Sequence, residues 1–271
     1  MTAATKICTI IGSDKGGVGK SLVAQLLTLI FRFSEVDLRV VEIDNQRKLT
    51  GILGEDKVNL SLSAMPQFER GSRDRHHFES FYNPVYTEWS KGFSLTDLGA
   101  NVTTSLLDWF TYCDIGELAV EDGIRFRFVA CATPDEQAIQ SAIESAENAK
   151  KAFGSLAEVF IVLNDSSGNL GFAPYENGDA MRGLHQQEQS GAVKVIRLPF
   201  CDSLLFEYGR AEKMSPIQIT AQADDIAARA GLDEVSKRIH RKKLVKWCVA
   251  AQERLEPLLT IEETIPEQPA A

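Results

Sequence analysis

The stretch that most restricts the fold is Lys6–Phe33, KICTIIGSDKGGVGKSLVAQLLTLIFRF. Its β-branched, apolar opening reads as a buried strand. The glycine-rich middle reads as a tight loop, and the apolar stripe after Lys20 recurs at helical spacing. Gly16, Gly17 and Gly19 let the chain curl without Cβ clashes, so successive backbone N–H groups can converge on one anion. A helix starting at Lys20 adds its positive end to the same point. Lys20 is then placed for the β- and γ-phosphates of a nucleotide, and the Ser21 hydroxyl for Mg²⁺. An ordinary phosphate loop is G-x-x-x-x-G-K-[ST]. Here Gly19, Lys20 and Ser21 satisfy its end, Asp14 stands where its opening glycine belongs, and Lys15 adds a second lysine.

Strand and helix patterns alternate along the rest of the chain. Strands are expected at Lys6–Gly12, Leu38–Asp44, Gly92–Asp97, Ile124–Cys131, Glu158–Leu163 and Val193–Leu198. Helices are expected at Lys20–Phe33, Thr103–Ala119, Pro134–Phe153, Ser203–Lys213 and Pro216–Ala230. Several strands are apolar on both faces, as in a parallel sheet covered by helices on each side. The expectation is an α/β fold: a doubly wound, mostly parallel sheet, with ligands at the carboxyl ends of its strands. Residues 1–258 read as a single domain. It carries an irregular, polar and aromatic excursion at 61–91, with the cluster Arg70, Arg73, Asp74, Arg75, His76, His77, which reads as a solvated connection with short helices. The acidic, proline-containing tail 259–271 reads as disordered.

Among 271 residues the formal charge is −9, which argues against a wholly basic nucleic-acid binder. The five cysteines are scattered without a CxxC pair, so reduced thiols in a cytoplasmic protein are expected rather than a disulfide frame or zinc site. The N-terminus shows no secretory signal pattern, and no apolar run approaches a bilayer span.

The pattern K-G-G-x-G-K-[ST], Lys15 through Ser21, resembles the deviant Walker-A loop of the ParA/MinD family of ATPases. The resemblance implies an ATPase with ATP and Mg²⁺ as ligands and a homodimer that closes on ATP. It assigns the loop residues Lys15, Gly16, Gly17, Val18, Gly19, Lys20 and Ser21 to the nucleotide. Lys15 would reach the triphosphate held by the other subunit, cancelling phosphate charge and coupling pairing to nucleotide state.

Further segments extend the resemblance to about Ala230. VVEIDNQRKLTGILG is similar to the family's D-x-D-P-Q-G switch, with Glu42 at its first aspartate, Asn45 at its proline and Gln46 at its glutamine. Asp44 is then the candidate for orienting the attacking water, close to Mg²⁺. FSLTDLGAN is similar to the Walker-B strand and second switch, which gives Asp97 to Mg²⁺. Gly99 stands at the second position after that aspartate and Asn101 at the fourth, where the family has its glycine. VFIVLNDSSG places Asn164 as an adenine contact, and VIRLPFCDS offers Pro199, Phe200 and Asp202 beside the base. No guanine-reading N-K-x-D follows Asn164, which favours ATP over GTP.

Near the C-terminus, VSKRIHRKKLVKWCVAAQERLEPLL places six basic residues and no acidic one between Lys237 and Lys246: Lys237, Arg238, Arg241, Lys242, Lys243 and Lys246. Leu232, Val235 and Ile239 share a helical face, continued by Trp247, Ala251, Leu255 and Leu258 as a drifting stripe. Such a basic helix (232–258) could grip DNA phosphates non-specifically, lie on an anionic membrane, or pack on the sheet with its lysines in water. The expected function is a slow, partner-stimulated ATPase switch that positions DNA or another cargo, as in plasmid partition or conjugative transfer, with a stimulating adaptor protein. The alternative is a MinD-like membrane-associated positioning ATPase or a regulator of polysaccharide secretion. Iron–sulfur reductases of this fold need cluster cysteines near the switches, and no cysteine closely follows Asp97.

Overall fold

The computed structural model describes residues 6–65, 75–168 and 170–259. In chain order the elements are β1 (Lys6–Ile11), α1 (Lys20–Phe33), β2 (Arg39–Ile43), α2 (Lys48–Leu53), β3 (Leu60–Leu62), α3 (Arg75–Phe81), α4 (Asn83–Trp89), β4 (Ser94–Leu98), α5 (Thr103–Tyr112) and α6 (Ile115–Glu121). They continue with β5 (Ile124–Ala132), α7 (Glu136–Phe153), β6 (Ala157–Asn164), α8 (Asp179–Gln189), β7 (Lys194–Leu198), α9 (Leu204–Ala211), α10 (Pro216–Ala221), α11 (Ala223–Arg229) and α12 (Glu234–Leu255). The seven strands form one sheet in the order β3-β2-β4-β1-β5-β6-β7, and every pairing is parallel. The chain leaves β1 toward one edge and later crosses to the other, so β1 marks the topological switch point where α/β sheets bind ligands. This is the doubly wound parallel arrangement expected from the sequence.

The six expected strands form within a residue or two of their expected ends. The structure adds a seventh, β3, which at three residues is too short to show a period. The single helix expected at Thr103–Ala119 is two, because Asp114 takes a left-handed conformation (φ 50°) between α5 and α6, one that aspartate tolerates. Pro216–Ala230 likewise divides at Gln222. Pro134 lies before the cap of α7 rather than in its first turn. Asp135 is the N-cap and accepts from Ala138 N at 2.8 Å, and Gly154 (φ 56°) ends the helix. α8 carries too short an apolar stripe to be read from sequence; only Ala180, Met181 and Leu184 are buried.

The largest correction concerns residues 61–91. Its members 66–74 fall outside the described residues, as does the tail from Thr260. From Phe78 onward the segment belongs to the core: Phe78, Tyr82, Val85 and Trp89 are buried. Trp89 meets Phe126 edge-on at 5.3 Å and donates through Nε1 to Thr96 Oγ1 at 2.9 Å. Tyr82 packs edge-on against Trp109 at 5.5 Å, and Phe110 bridges Phe126 and Phe153. Apolar residues at i, i+4, i+7 and i+11 from Phe78 form a helical stripe that the surrounding charges conceal.

Candidate nucleotide-phosphate site

Chemistry-bearing residues gather at the carboxyl edge of the sheet because each follows or ends a parallel strand. The phosphate loop follows β1, Asp44 follows β2, Asp97 lies in β4, Asn164 ends β6 and Pro199 follows β7. Register fixes the centre: Asp97 stands beside Ile11 of β1 on one side and Glu42 of β2 on the other.

The loop itself is shaped for an anion. Gly17 and Gly19 have φ of 78° and 96°, values that a side chain would strain, and a Cβ on Gly19 would come within 2.3 Å of the Asn164 amide. No side chain caps α1, and its first turn holds no acidic residue, so its first N–H groups remain free for a ligand. Lys20 is buried, and its ammonium bridges the carbonyls of Ser13 (2.7 Å) and Lys15 (2.8 Å) across the loop mouth. Burial pulls its pKa below the ordinary lysine value, with Asp97 and Asp14 among the charges that oppose the shift.

Opposite the loop, Asp97 is wholly buried and its Oδ1 has no hydrogen-bond partner among the described residues. Burial pushes its pKa up to about 7; Glu42 and Asp44 act in the same direction, while a hydrogen bond with Ser21 and the charge of Lys20 oppose it. A buried carboxylate with an unpartnered oxygen beside a serine hydroxyl suits a hard divalent cation, so Ser21 and Asp97 fit Mg²⁺. Among the described residues no group of three or more His, Cys, Asp or Glu could hold a metal. Mg²⁺ does not need one, because it takes one or two protein oxygens and completes its shell with water and phosphate.

The segments that follow β2 and β4 touch. Gly99 N donates to Ile43 O at 2.8 Å, and a Cβ on Gly99 would lie 2.6 Å from Asp44 Oδ1. A glycine two residues after Asp97 is therefore what admits the Asp44 carboxylate. Asn101, at the family's glycine position, adopts φ 62°, the left-handed conformation that asparagine tolerates. Glu42 is buried and receives Leu49 N (2.6 Å) and Thr50 N (3.1 Å), together with the Thr50 hydroxyl. Its longer side chain holds α2 in place.

Asp14 has a role that the motif alone does not suggest. Thr104 Oγ1 donates to its Oδ2 at 2.6 Å, and Asn101 N donates to its carbonyl at 3.3 Å, so the phosphate loop is tied to the segment after Asp97. Lys15 forms an ion pair within its own chain, to Asp135. Asp135 reads in sequence only as an acidic residue at a helix start; its pairing with Lys15 is a tertiary contact.

Asn164 is buried and its amide donates to Val18 O at 3.4 Å. It borders a cavity of about 710 Å³, also lined by Pro199, Phe200 and Asp202 and large enough for a purine nucleoside. Asp202 pairs with Lys243 at 2.6 Å. The six cations of α12 are thus not equivalent: Lys237 binds Asp224 and Glu234, Arg238 binds Glu234 and Lys243 binds Asp202. Arg241, Lys242 and Lys246 form no ion pair among the described residues. The drifting apolar stripe is also corrected. Leu244, Trp247, Ala251 and Leu255 are buried, whereas Val235, Ile239, Val245 and Val249 are exposed. Ile239 to Leu244 is five positions, about 140° around a helix, so the two sets occupy different faces.

No protein-family model matches the chain, and no curated protein matches it. Among solved structures, an apo McdA from Cyanothece is similar with a TM-score of 0.45 and 13% identity, over 88% of this chain and 99% of that one. The ATP complex of an Asp-to-Ala variant of McdA from Cyanothece gives 0.46 and 13%, over 86% and 99%. The MinC:MinD cell division protein complex of Aquifex aeolicus gives 0.45 and 13%, over 97% and 98%. At that identity and those scores, the likenesses say nothing of activity or partners.

Proposed function

We propose that this chain is an ATPase of the ParA/MinD kind, a switch in which ATP closes a homodimer and hydrolysis reopens it. The observation that carries the reading is the uncapped, glycine-turned start of α1, which bears Ser21 beside the unpartnered Asp97 oxygen and is flanked by two lysines of one loop. Its N–H groups and Lys20 bind the β- and γ-phosphates, the Lys20 ammonium exchanging loop carbonyls for phosphate oxygens. Ser21 and Asp97 hold Mg²⁺, which when bound supplies neutralisation of phosphate charge. Asp44 accepts a hydrogen bond from the attacking water and orients it.

Lys15 exchanges Asp135 for the triphosphate across the dimer. A half-buried ion pair still open to solvent is worth only about 1 kcal/mol, so the exchange costs little against a triphosphate. The cargo is DNA held non-specifically by α12, as in plasmid partition or conjugative transfer, with an adaptor protein stimulating turnover. Three cations on one helix with no ion pair among the described residues support that choice. A membrane reading is favoured by a different observation, the exposed Val235, Ile239, Val245 and Val249 on the same helix. No helix among the described residues is long and apolar enough to cross a bilayer.

The test is nucleotide-dependent sizing of wild type and Lys15→Ala with ADP or ATP, with and without duplex DNA, beside phosphate release by wild type and Asp44→Ala. Wild type should dimerise with ATP and Lys15→Ala should not; Asp44→Ala should dimerise but release no phosphate. A wild type that stays monomeric under every condition refutes the switch. Retention on anionic vesicles in preference to DNA selects the membrane reading.

A further inference from the structure

The connection from β7 into the first residue of α9, 199–204, is held from behind by α12 along its length. Trp247 Nε1 donates to Pro199 O at 2.7 Å, and the Ser203 hydroxyl donates to His240 O at 2.9 Å. Leu204 N donates to His240 Nδ1 at 3.2 Å, which requires that nitrogen to be unprotonated, and Lys243 binds Asp202 at 2.6 Å. Four contacts over six residues leave the loop little freedom of its own. The Trp247 indole is nearly buried, and it packs at 4.6 Å on Phe206 of α9. Across the cavity, the Phe200 ring lies so close to Gly168 that a Cβ there would come within 2.4 Å of it.

These contacts leave particular groups uncommitted. Within the loop, Cys201 O accepts Ser203 N and Ser203 O accepts the first turn of α9. The backbone N–H and C=O groups of Phe200 and Asp202 make no hydrogen bond among the described residues, and both residues line the cavity. Backbone donors and acceptors at the wall of a pocket are among the groups that read a base edge. Their aim depends on what fixes the loop.

We infer that α12 is the back wall of the base site, with Trp247 and His240 acting as positioning residues that aim the 199–204 backbone at the base of the nucleotide. The inference rests on the nucleotide reading of the phosphate loop and extends it to a helix about 220 residues away in sequence. It makes base discrimination a property of α12, while grip on the phosphates stays with α1.

The experiment compares wild type, Trp247→Phe and Lys243→Met for binding of ATP, GTP and inorganic tripolyphosphate by isothermal titration, with circular dichroism as the check on folding. Trp247→Phe keeps an aromatic ring beside Phe206 and removes the N–H together with part of the indole, which the tripolyphosphate arm and circular dichroism control for. Its ATP affinity should fall about five- to tenfold, the range for one lost hydrogen bond. Its preference for ATP over GTP should shrink, and tripolyphosphate binding should stay within about twofold. Lys243→Met, at an exposed position, should show a smaller loss of the same kind in a chain that folds without difficulty. A general structural effect would weaken all three ligands together, and that result overturns the inference. So does an unchanged ATP-to-GTP ratio in both variants. If wild type binds tripolyphosphate and both nucleotides equally, the inference falls and the phosphate site stands; if it binds none of them, the nucleotide reading itself falls.

Discussion

Gly99→Ala is the sharpest probe of the contact between the segments that follow β2 and β4. The φ of Gly99 lies outside the left-handed region, so alanine can adopt its backbone and only the added methyl matters. That methyl would stand 2.6 Å from Asp44 Oδ1 and 3.1 Å from Asp44 Cα. An ordinary contact needs about 3.4 Å, so the carboxylate must retreat by roughly 0.8 Å, and the backbone contact prevents the simplest escape by rotation alone. A displacement of about 1 Å in a group that orients a reactant costs on the order of 10²-fold in rate. Overpacking of this kind costs about 1–3 kcal/mol of stability. Single-turnover phosphate release from ATP should therefore fall about 10- to 100-fold while ATP affinity changes little. Gly51→Ala is the control: nothing lies within 4 Å of its added Cβ, and a better helix former in α2 should leave turnover intact. Turnover by Gly99→Ala within about twofold of wild type would refute the assignment of Asp44 as the group that orients water.

Three other outcomes follow from the same geometry. Asp135→Asn keeps an oxygen to cap α7 but removes the charge facing Lys15; ATP-dependent dimerisation measured by analytical ultracentrifugation should tighten by up to about fivefold, and weaker dimerisation would mean that Asp135 acts in the dimer itself. Trp89→Ala should destabilise the protein by about 3–5 kcal/mol in urea denaturation, because the ring is fully buried; an unchanged midpoint would return that segment to the surface. Asp97→Asn should stabilise the metal-free protein in EDTA. A carboxyl raised from 3.8 to about 7 in the folded state opposes folding increasingly as pH rises between those values. The difference between variant and wild type should thus be near zero at pH 4 and reach about 4 kcal/mol above pH 7; curves that coincide from pH 5 to 8 would show that the carboxyl is not raised.

Much of this molecule is local, and local features are legible in a sequence. The central strands announce themselves because both faces are covered, so short apolar runs such as those in β1, β5 and β6 stand out. The phosphate loop is legible because only glycine takes the φ of Gly17 and Gly19, and because strand, turn and helix are consecutive. The helix at Lys20–Phe33 has the bounds its stripe implies. Residues 75–89 misled because the buried stripe runs through a setting of charge, and burial is decided by what the segment meets. In α12, the buried Leu244 and the exposed Val235 are equally apolar; only packing against the 199–204 loop and the sheet settles which face turns inward.

Pairings between distant residues had to wait for the tertiary structure. Lys15 with Asp135, Asp14 with Thr104, Gly99 under Asp44 and Trp247 behind Pro199 join segments separated by tens to more than a hundred positions. Sequence spacing determines which side chains share a strand end or a helix face, because the backbone period is fixed. It does not determine which loops meet across the carboxyl edge of the sheet, since strand order and helix packing set those distances.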